Sequence, residues 1–309
     1  MTSTTTSDAL LPVGVIGLGD IAQKAYLPVL GALPRVELRL MTRDRAKLDR
    51  IGDAYRVTER YTDLGELIDS GIKAAFVHAS TDQHVPIVER LLAAGVDVYV
   101  DKPLDYTLDG SRRLVELAER AQRSLLVGFN RRYAPGYVLA KERPRDLILM
   151  QKHREGLPEA ARTLVYDDFI HVIDSLLHLV PGEVTDTDVR SRSRDGLVEH
   201  VVLTLAGEGF TAIGVMNRMS GSTEEVLEVS GGDSKRVVVN LSEVIDHRGQ
   251  PTVRRRGDWV SVARQRGIEQ VVLHFLDAVR AGRVLPARDA LRTHELCEYV
   301  VECLEQQAK

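Results

Sequence analysis

Residues 12 to 22 read PVGVIGLGDIA, a short apolar run with β-branched residues that ends in Gly17-Leu18-Gly19-Asp20-Ile21-Ala22. The run is a strand signal, and the G-x-G-x-x-A turn after it opens a helical stretch reaching about Leu30. Glycines suit such a turn because the chain reverses tightly and its backbone must approach a pyrophosphate. The phosphate charge then sits on the helix N-terminus. Taken alone the pattern also fits a structural turn; between a strand and a helix it points to dinucleotide binding.

Working outward, the same rhythm repeats. VELRLM (36 to 41) precedes a charged helical stretch from Asp44, and AAFVHA (74 to 79) precedes a helix through PIVERLLAAG. VDVYV (96 to 100) precedes a helix through SRRLVELAERAQ, which leads to SLLVGF (124 to 129). Short apolar strands separated by helices predict a doubly wound parallel sheet covered on both faces, an N-terminal Rossmann domain over residues 1–128.

After Gly128 the rhythm changes. RDLILMQKHR (145 to 154), LVEHVVLTLAG (197 to 207), FTAIGVMNRM (210 to 219), EEVLEVSG (224 to 231) and KRVVVNL (235 to 241) read as strands joined by short polar or glycine-containing turns. Such connections suit antiparallel neighbours. Residues 129–309 are therefore expected to form a C-terminal α/β domain with a largely antiparallel open sheet, whose open face would be a natural surface for oligomerisation. Helices are expected at 266–281 and 288–307, the last packing back on the first domain.

The totals fit this reading. A chain of 309 residues with 44% hydrophobic and 28% charged residues is long enough for two domains, and a formal charge of −4 gives no basic footprint for nucleic acid. No apolar run approaches a membrane span. The start, MTSTTTSDALLP, lacks a basic n-region and a long apolar h-region, so no secretory signal is expected and the first ten residues read as a frayed tail. Cys297 and Cys303, six residues apart on one helix, face different ways and argue for a reducing cytoplasm. Arg254-Arg255-Arg256 reads as a solvated loop rather than a nucleic-acid patch.

The end of the second strand bears on which dinucleotide binds. An acid there would take a ribose 2′-hydroxyl; here the strand runs into Met41-Thr42-Arg43. Thr42 offers a hydroxyl and Arg43 a guanidinium fork, which favours NADP over NAD unless Arg43 is only a solvated loop residue.

YDDFIHVIDSLLHLVPG (166 to 182) is helical by its apolar spacing and stopped by Pro181-Gly182. At 3.6 residues per turn, Asp167, His171, Asp174 and His178 share one stripe of an otherwise apolar helix. That stripe is compatible with a hydrogen-bonded seam, with a metal site, though no CxxC or HExxH context supports one, or with a catalytic pair.

FVHASTDQH (76 to 84), VYVDKPL (98 to 104) and GFNRRYAP (128 to 135), in this order after the glycine turn, resemble the Gfo/Idh/MocA family of NAD(P)-dependent oxidoreductases. With QKHR (151 to 154) and DDFIHVID (167 to 174) the combination looks most like the MviM-like branch. The resemblance runs through nearly the whole chain. It implies a strand-end lysine, Lys102, beside the nicotinamide and the reacting oxygen, and an Asp-x-x-x-His pair, Asp167 and His171, facing it. It implies cofactor contacts from Gly17, Gly19, Asp20, Ile21, Ala22, Thr42, Arg43, Ser80, Thr81, His84, Asp101, Lys102 and Asn130. Arg131, Arg132, Lys152, His153 and Arg154 are candidates for holding a small-molecule substrate; the arginines at 131 and 132 fit an interdomain salt bridge equally well. Pairing through the C-terminal sheet into a homodimer or tetramer is also implied. Two departures stand out: Asp101 replaces the family's glutamate, and the stretch from Arg154 to Tyr166 is short.

The chemistry these residues suit is hydride transfer between the nicotinamide and a carbon bearing a hydroxyl or carbonyl, on a sugar, cyclitol or related metabolite. The cofactor carries the hydride, so the protein must move one proton and hold the substrate. His171 suits the proton, Asp167 its orientation, and Lys102 the polarisation of the oxygen. Imine reduction on the same scaffold, or a non-catalytic NADP(H)-binding sensor, are the alternatives. A sensor has no need of a lysine, a histidine and an acid retained together.

Overall fold

The computed structural model describes residues 9–308. The tail and leader readings of the chain's start lie almost wholly outside that range. The chain forms two compact units, one running to Asp105 and then comprising Asp109–Gly128 and Val272–Ala287. The other comprises Tyr106–Leu108, Phe129–Val271 and the chain from Arg288 onward.

The first unit holds six parallel strands: β1 (Leu11–Ile16), β2 (Val36–Met41), β3 (Arg60–Tyr61), β4 (Ala74–Val77), β5 (Asp97–Val100) and β6 (Leu125–Val127). Their order, β3-β2-β1-β4-β5-β6, is that of a Rossmann sheet, and it reverses between β1 and β4. All four residues of β4 are buried, as a strand covered on both faces requires. The two-residue β3 is too short to leave a periodic trace in the sequence. Tyr26, Phe76, Tyr99 and Phe275 form an aromatic core, with the Phe76 and Phe275 rings edge to face at 5.3 Å. That contact explains why Val272–Ala287 returns to this unit.

The second unit holds an eight-stranded sheet: β7 (Leu147–Lys152), β8 (Asp186–Arg194), β9 (Leu197–Gly207), β10 (Phe210–Asn217), β11 (Glu225–Gly231), β12 (Ser234–Val239), β13 (Glu243–His247) and β14 (Thr252–Arg255). The order is β14-β13-β12-β11-β7-β10-β9-β8, antiparallel throughout except between β7 and β10. The predicted α/β class with a Rossmann sheet and a largely antiparallel sheet is the observed one. Strand β8 escaped the sequence reading because DTDVRSRSR has only one apolar residue to mark its period. Arg254 and Arg255, expected in a loop, lie instead on the edge strand β14, where they pair with Asp246 and Glu243 on β13. Charged side chains on an exposed edge discourage further pairing.

The helix expected over 166–182 is built differently. Leu164–Phe169 is a π-helical turn and Ile170–Leu179 an α-helix. The wider π-turn breaks the single stripe, so Asp174 is buried while Asp167, His171 and His178 are partly exposed. The closing helix, Arg288–Gln307, belongs to this second unit and packs on Ile170–Leu179 and β8. Among the described residues no helix is long and apolar enough to cross a membrane.

Candidate active site

In the first unit the glycine turn is as tight as its spacing suggests. Gly17 has φ +84°, and a Cβ there would lie 2.5 Å from the Ala79 backbone nitrogen, so only glycine lets the β1 turn close on the end of β4. At Gly19 nothing lies within 4 Å of the Cβ position, which leaves the backbone open on that side. The helix then starts with a π-turn, Ala22–Tyr26. Asp20 pairs with Lys24 at 2.6 Å at the surface, Ile21 is 48% exposed, and Ala22 is buried.

Where the strand order reverses, a cavity of about 360 Å³ opens, lined by Gly17, Thr42, Arg43, Asp63, Ser80 and Arg90 among others. This is the crevice in which such sheets hold their ligands. An adenine nucleotide fits the donors present: an open backbone at Gly19, hydroxyls at Thr42 and Ser80, and a guanidinium at Arg43. Asp63 and Arg90 were not singled out from sequence. Asp63 caps the helix Leu64–Asp69 by accepting from the Gly65 and Glu66 amides, a local S/T/D-type cap signal that gives no hint of the cavity. Thr81 begins the short turn Thr81–Gln83 beside Ser80.

At the end of β5, Asp101 and Lys102 are partly exposed, and the Lys102–Pro103 peptide is cis. Asp101 Oδ2 lies 2.7 Å from His78 Nδ1. His84 is 1% exposed; its Nδ1 is 2.8 Å from the Pro103 carbonyl oxygen and its Nε2 3.0 Å from that of Ala79. His84 thus ties the loop after β4 to the loop after β5 through backbone oxygens. His78 was missed because it reads as one more residue of an apolar strand.

In the second unit Asp167 Oδ1 accepts a hydrogen bond of 2.8 Å from the Tyr106 hydroxyl, a partner 61 residues away in sequence. Asp167 and His171 stand on either side of the junction between π-turn and α-helix. Such junctions recur at functional sites because they turn one residue away from the regular spiral.

The basic candidates of this unit are engaged in ion pairs. Arg131, 5% exposed, makes a bidentate contact with Glu225 (2.8 and 2.6 Å), which also accepts from the Tyr137 hydroxyl. Burial favours the neutral form of Glu225, but Arg131, Lys152 and Tyr137 outweigh it and hold the carboxyl at about 2. Arg132 grips Asp174, which also accepts from Thr293. Both arginine pairs close within this one unit. Lys152 lies 2.7 Å from Asp168, which Arg154 and Arg218 also contact. Burial and the neighbouring Arg131 bring Lys152 down to about 8 despite that carboxylate. His153 accepts from the Asn217 amide and faces Gln151, and the Asn130 amide donates to the Arg266 carbonyl.

The chain is similar to known proteins over most of its length. The family model described as "Oxidoreductase family, NAD-binding Rossmann fold" (GFO_IDH_MocA) matches residues 11–129. The Salmonella typhimurium protein YceM is 34% identical over 305 residues, covering 96% of this chain and 98% of its own. A crystal structure of a Gfo/Idh/MocA family oxidoreductase from Vibrio cholerae is 31% identical, covers 96% of this chain and 99% of its own, and superposes with a TM-score of 0.91. A dehydrogenase (MviM) from Clostridium difficile, also 31% identical, covers 95% of this chain and 99% of its own at a TM-score of 0.88. Inositol 2-dehydrogenase of Paracoccus denitrificans is 32% identical over 193 residues, 56% of this chain and 55% of its own.

Proposed function

The chain belongs to the Gfo/Idh/MocA family of NAD(P)-dependent oxidoreductases, and on that premise we propose that it oxidises a secondary hydroxyl of a polyol, a sugar or cyclitol, with NADP preferred. The observation that carries the reading is the cavity at the sheet's reversal, with Thr42 and Arg43 at the position that selects the 2′-substituent of the cofactor ribose. The inositol 2-dehydrogenases among the relatives, alike over about half their length, support a polyol.

When bound, the nicotinamide accepts or returns the hydride. Every other task falls to the chain. Gly17 and Gly19 let the backbone approach the pyrophosphate, and Ser80 and Thr81 offer hydroxyls beside it. Lys102 polarises the substrate oxygen. His171 takes the hydroxyl proton at an imidazole nitrogen, and Asp167, itself steadied by Tyr106, orients the reacting group. Arg154, with a side chain 30% exposed, and His153 are the basic residues left to meet polar groups of the substrate.

The chain is proposed to assemble through its eight-stranded sheet. Leu149, Val202, Ile213 and Val215 are half-exposed and adjacent in the β7, β9 and β10 register, an apolar face of the kind that pairs.

Fluorescence titration with NADPH and NADH, followed by NADP+ reduction against sugars, inositols and their acids, tests the reading. Tighter NADPH binding with turnover of a polyol is expected. NADH preference removes the NADP assignment, and turnover of imines alone, from NADPH, replaces polyol oxidation with imine reduction.

A further inference from the structure

Lys102 sits between two residues that are each held by a buried histidine. On one side, His78 Nδ1 is 2.7 Å from the Asp101 carboxylate; on the other, His84 Nδ1 is 2.8 Å from the Pro103 carbonyl oxygen. Both histidines follow β4, and both are at most 5% exposed. We propose that His78 and His84 are positioning residues for Lys102, fixing the side chain before it and the carbonyl after it so that the lysine leaves the strand end in one orientation. The proposal rests on the reading of Lys102 as the residue that polarises the substrate oxygen.

His78 is costly as mere filling. Its ring packs 4.2 Å from that of Tyr26 and 6.2 Å from that of Phe76, in aromatic surroundings. There its Nε2 is buried with no hydrogen-bond partner among the described residues, a loss of about 1–3 kcal/mol for a desolvated polar group. The compensation is at the other nitrogen, on Asp101.

Around this pair the unit is built to hold the acid. Tyr26 Oη lies 2.6 Å from Tyr99 Oη. Burial, then Tyr99 and Asp101, push the Tyr26 hydroxyl well above its usual range, so it stays a donor. A Cβ at Gly128 would lie 2.8 Å from Tyr99 Oη and 3.3 Å from Asp101 Oδ1, so the bare glycine leaves them room. The shorter acid is explained by the same geometry. A glutamate would carry its carboxylate roughly 1.5 Å further along, into the space His78 Nδ1 fills. Asp101 and His78 are matched in size, and the aspartate is neither a lone ribose ligand nor a free counter-ion.

The test reads Lys102 itself. Isotope-labelled reductive methylation of the lysines, with the Lys102 signal assigned by its loss in Lys102→Arg, gives the titration midpoint of that one ammonium. In His78→Leu the freed Asp101 carboxylate turns toward the ammonium, and the midpoint rises by about half a unit or more. In the isosteric Asp101→Asn, which also serves if the leucine variant does not fold, the midpoint falls. His78→Asn, which keeps an N–H donor near the Nδ1 position, restores the wild-type value. If His78→Leu, or Asp101→Asn in its stead, leaves the midpoint within about 0.2 units of wild type, the proposal is overturned. NADPH titration of the same samples separates the two readings. A protein that shifts as described but binds no NADPH keeps the clamp and loses the function, whereas normal NADPH binding with an unmoved midpoint loses the clamp alone.

Discussion

Two lysines stand at the carboxyl ends of sheet strands in this chain, and their surroundings are opposite. Lys102 follows β5 of the parallel sheet and is partly exposed, and the residues on either side of it, Asp101 and Pro103, are held by His78 and His84. Lys152 ends β7 of the mixed sheet, is 4% exposed, and is paired with Asp168. The difference follows from topology. In a parallel sheet every strand leaves at the same edge into a loop that leads to a helix, so that edge is open to ligands. In the mixed sheet neighbouring strands enter and leave at the same edge: Glu225 begins β11 opposite Lys152, and Lys152 and Arg218, at the ends of β7 and β10, meet Asp168 of the π-turn. A basic strand end is therefore not in itself a site.

The sharpest way to break this contrast is to remove each lysine. Lys102→Ala is expected to lower turnover by about 10²–10⁴-fold while NADPH affinity changes little, and His171→Ala to fall in the same range. Lys152→Ala should leave turnover within about tenfold and lower the thermal midpoint instead, because Asp168 keeps Arg154 and Arg218. Steady-state kinetics with fluorescence titration on all three variants distinguishes the two kinds of lysine.

Sealing of the second sheet predicts a large stability effect beside it. Glu225→Ala leaves Arg131 buried without that carboxylate and should cost about 3–5 kcal/mol, whereas Arg131→Met, Glu225→Leu and Tyr137→Phe together, which also remove the hydroxyl that donates to Glu225, should cost far less. Denaturant unfolding of the two variants measures this; equal losses would mean that the pair is not sealed as described.

At the open edge of the first sheet, Gly17→Ala forces a side chain into positive φ against Ala79 and should cost about 1–3 kcal/mol, with weakened NADPH binding. The remaining effect concerns acid. Burial, with Lys141, Arg132 and Arg145 nearby, lowers His178 from 6.5 to about 3. The unfolded chain therefore takes up the proton that the folded chain refuses between those values, and stability falls as the pH drops through the window. His178→Gln should flatten that part of the pH dependence of the thermal midpoint.

The same contrast explains what the sequence made legible. Strand β4 and the glycine turn announced themselves because a parallel core strand covered on both faces is apolar throughout and the turn's chemistry is local. Asp167 and His171 came from their spacing together with the family resemblance. What stayed hidden was non-local. Tyr106 meets Asp167 from 61 residues away and His78 meets Asp101 from 23, and neither separation leaves a mark in a window of a dozen residues. The π-turn at Leu164–Phe169 likewise has no compositional signature, so the helical stripe was drawn too straight. Arg131 and Lys152 looked like substrate ligands because basic residues after a strand do; only their partners, Glu225 on β11 and Asp168 in the π-turn, reveal the pairing.

The account is tested most directly by following reduction of NADP+ on the polyol that the wild-type chain turns over, with Lys102→Ala and Lys152→Ala alongside. The prediction is that wild type and Lys152→Ala produce NADPH and Lys102→Ala does not. Turnover that survives in Lys102→Ala, or a wild-type chain that binds NADPH yet reduces and oxidises nothing across polyols, ketones and imines, would contradict it.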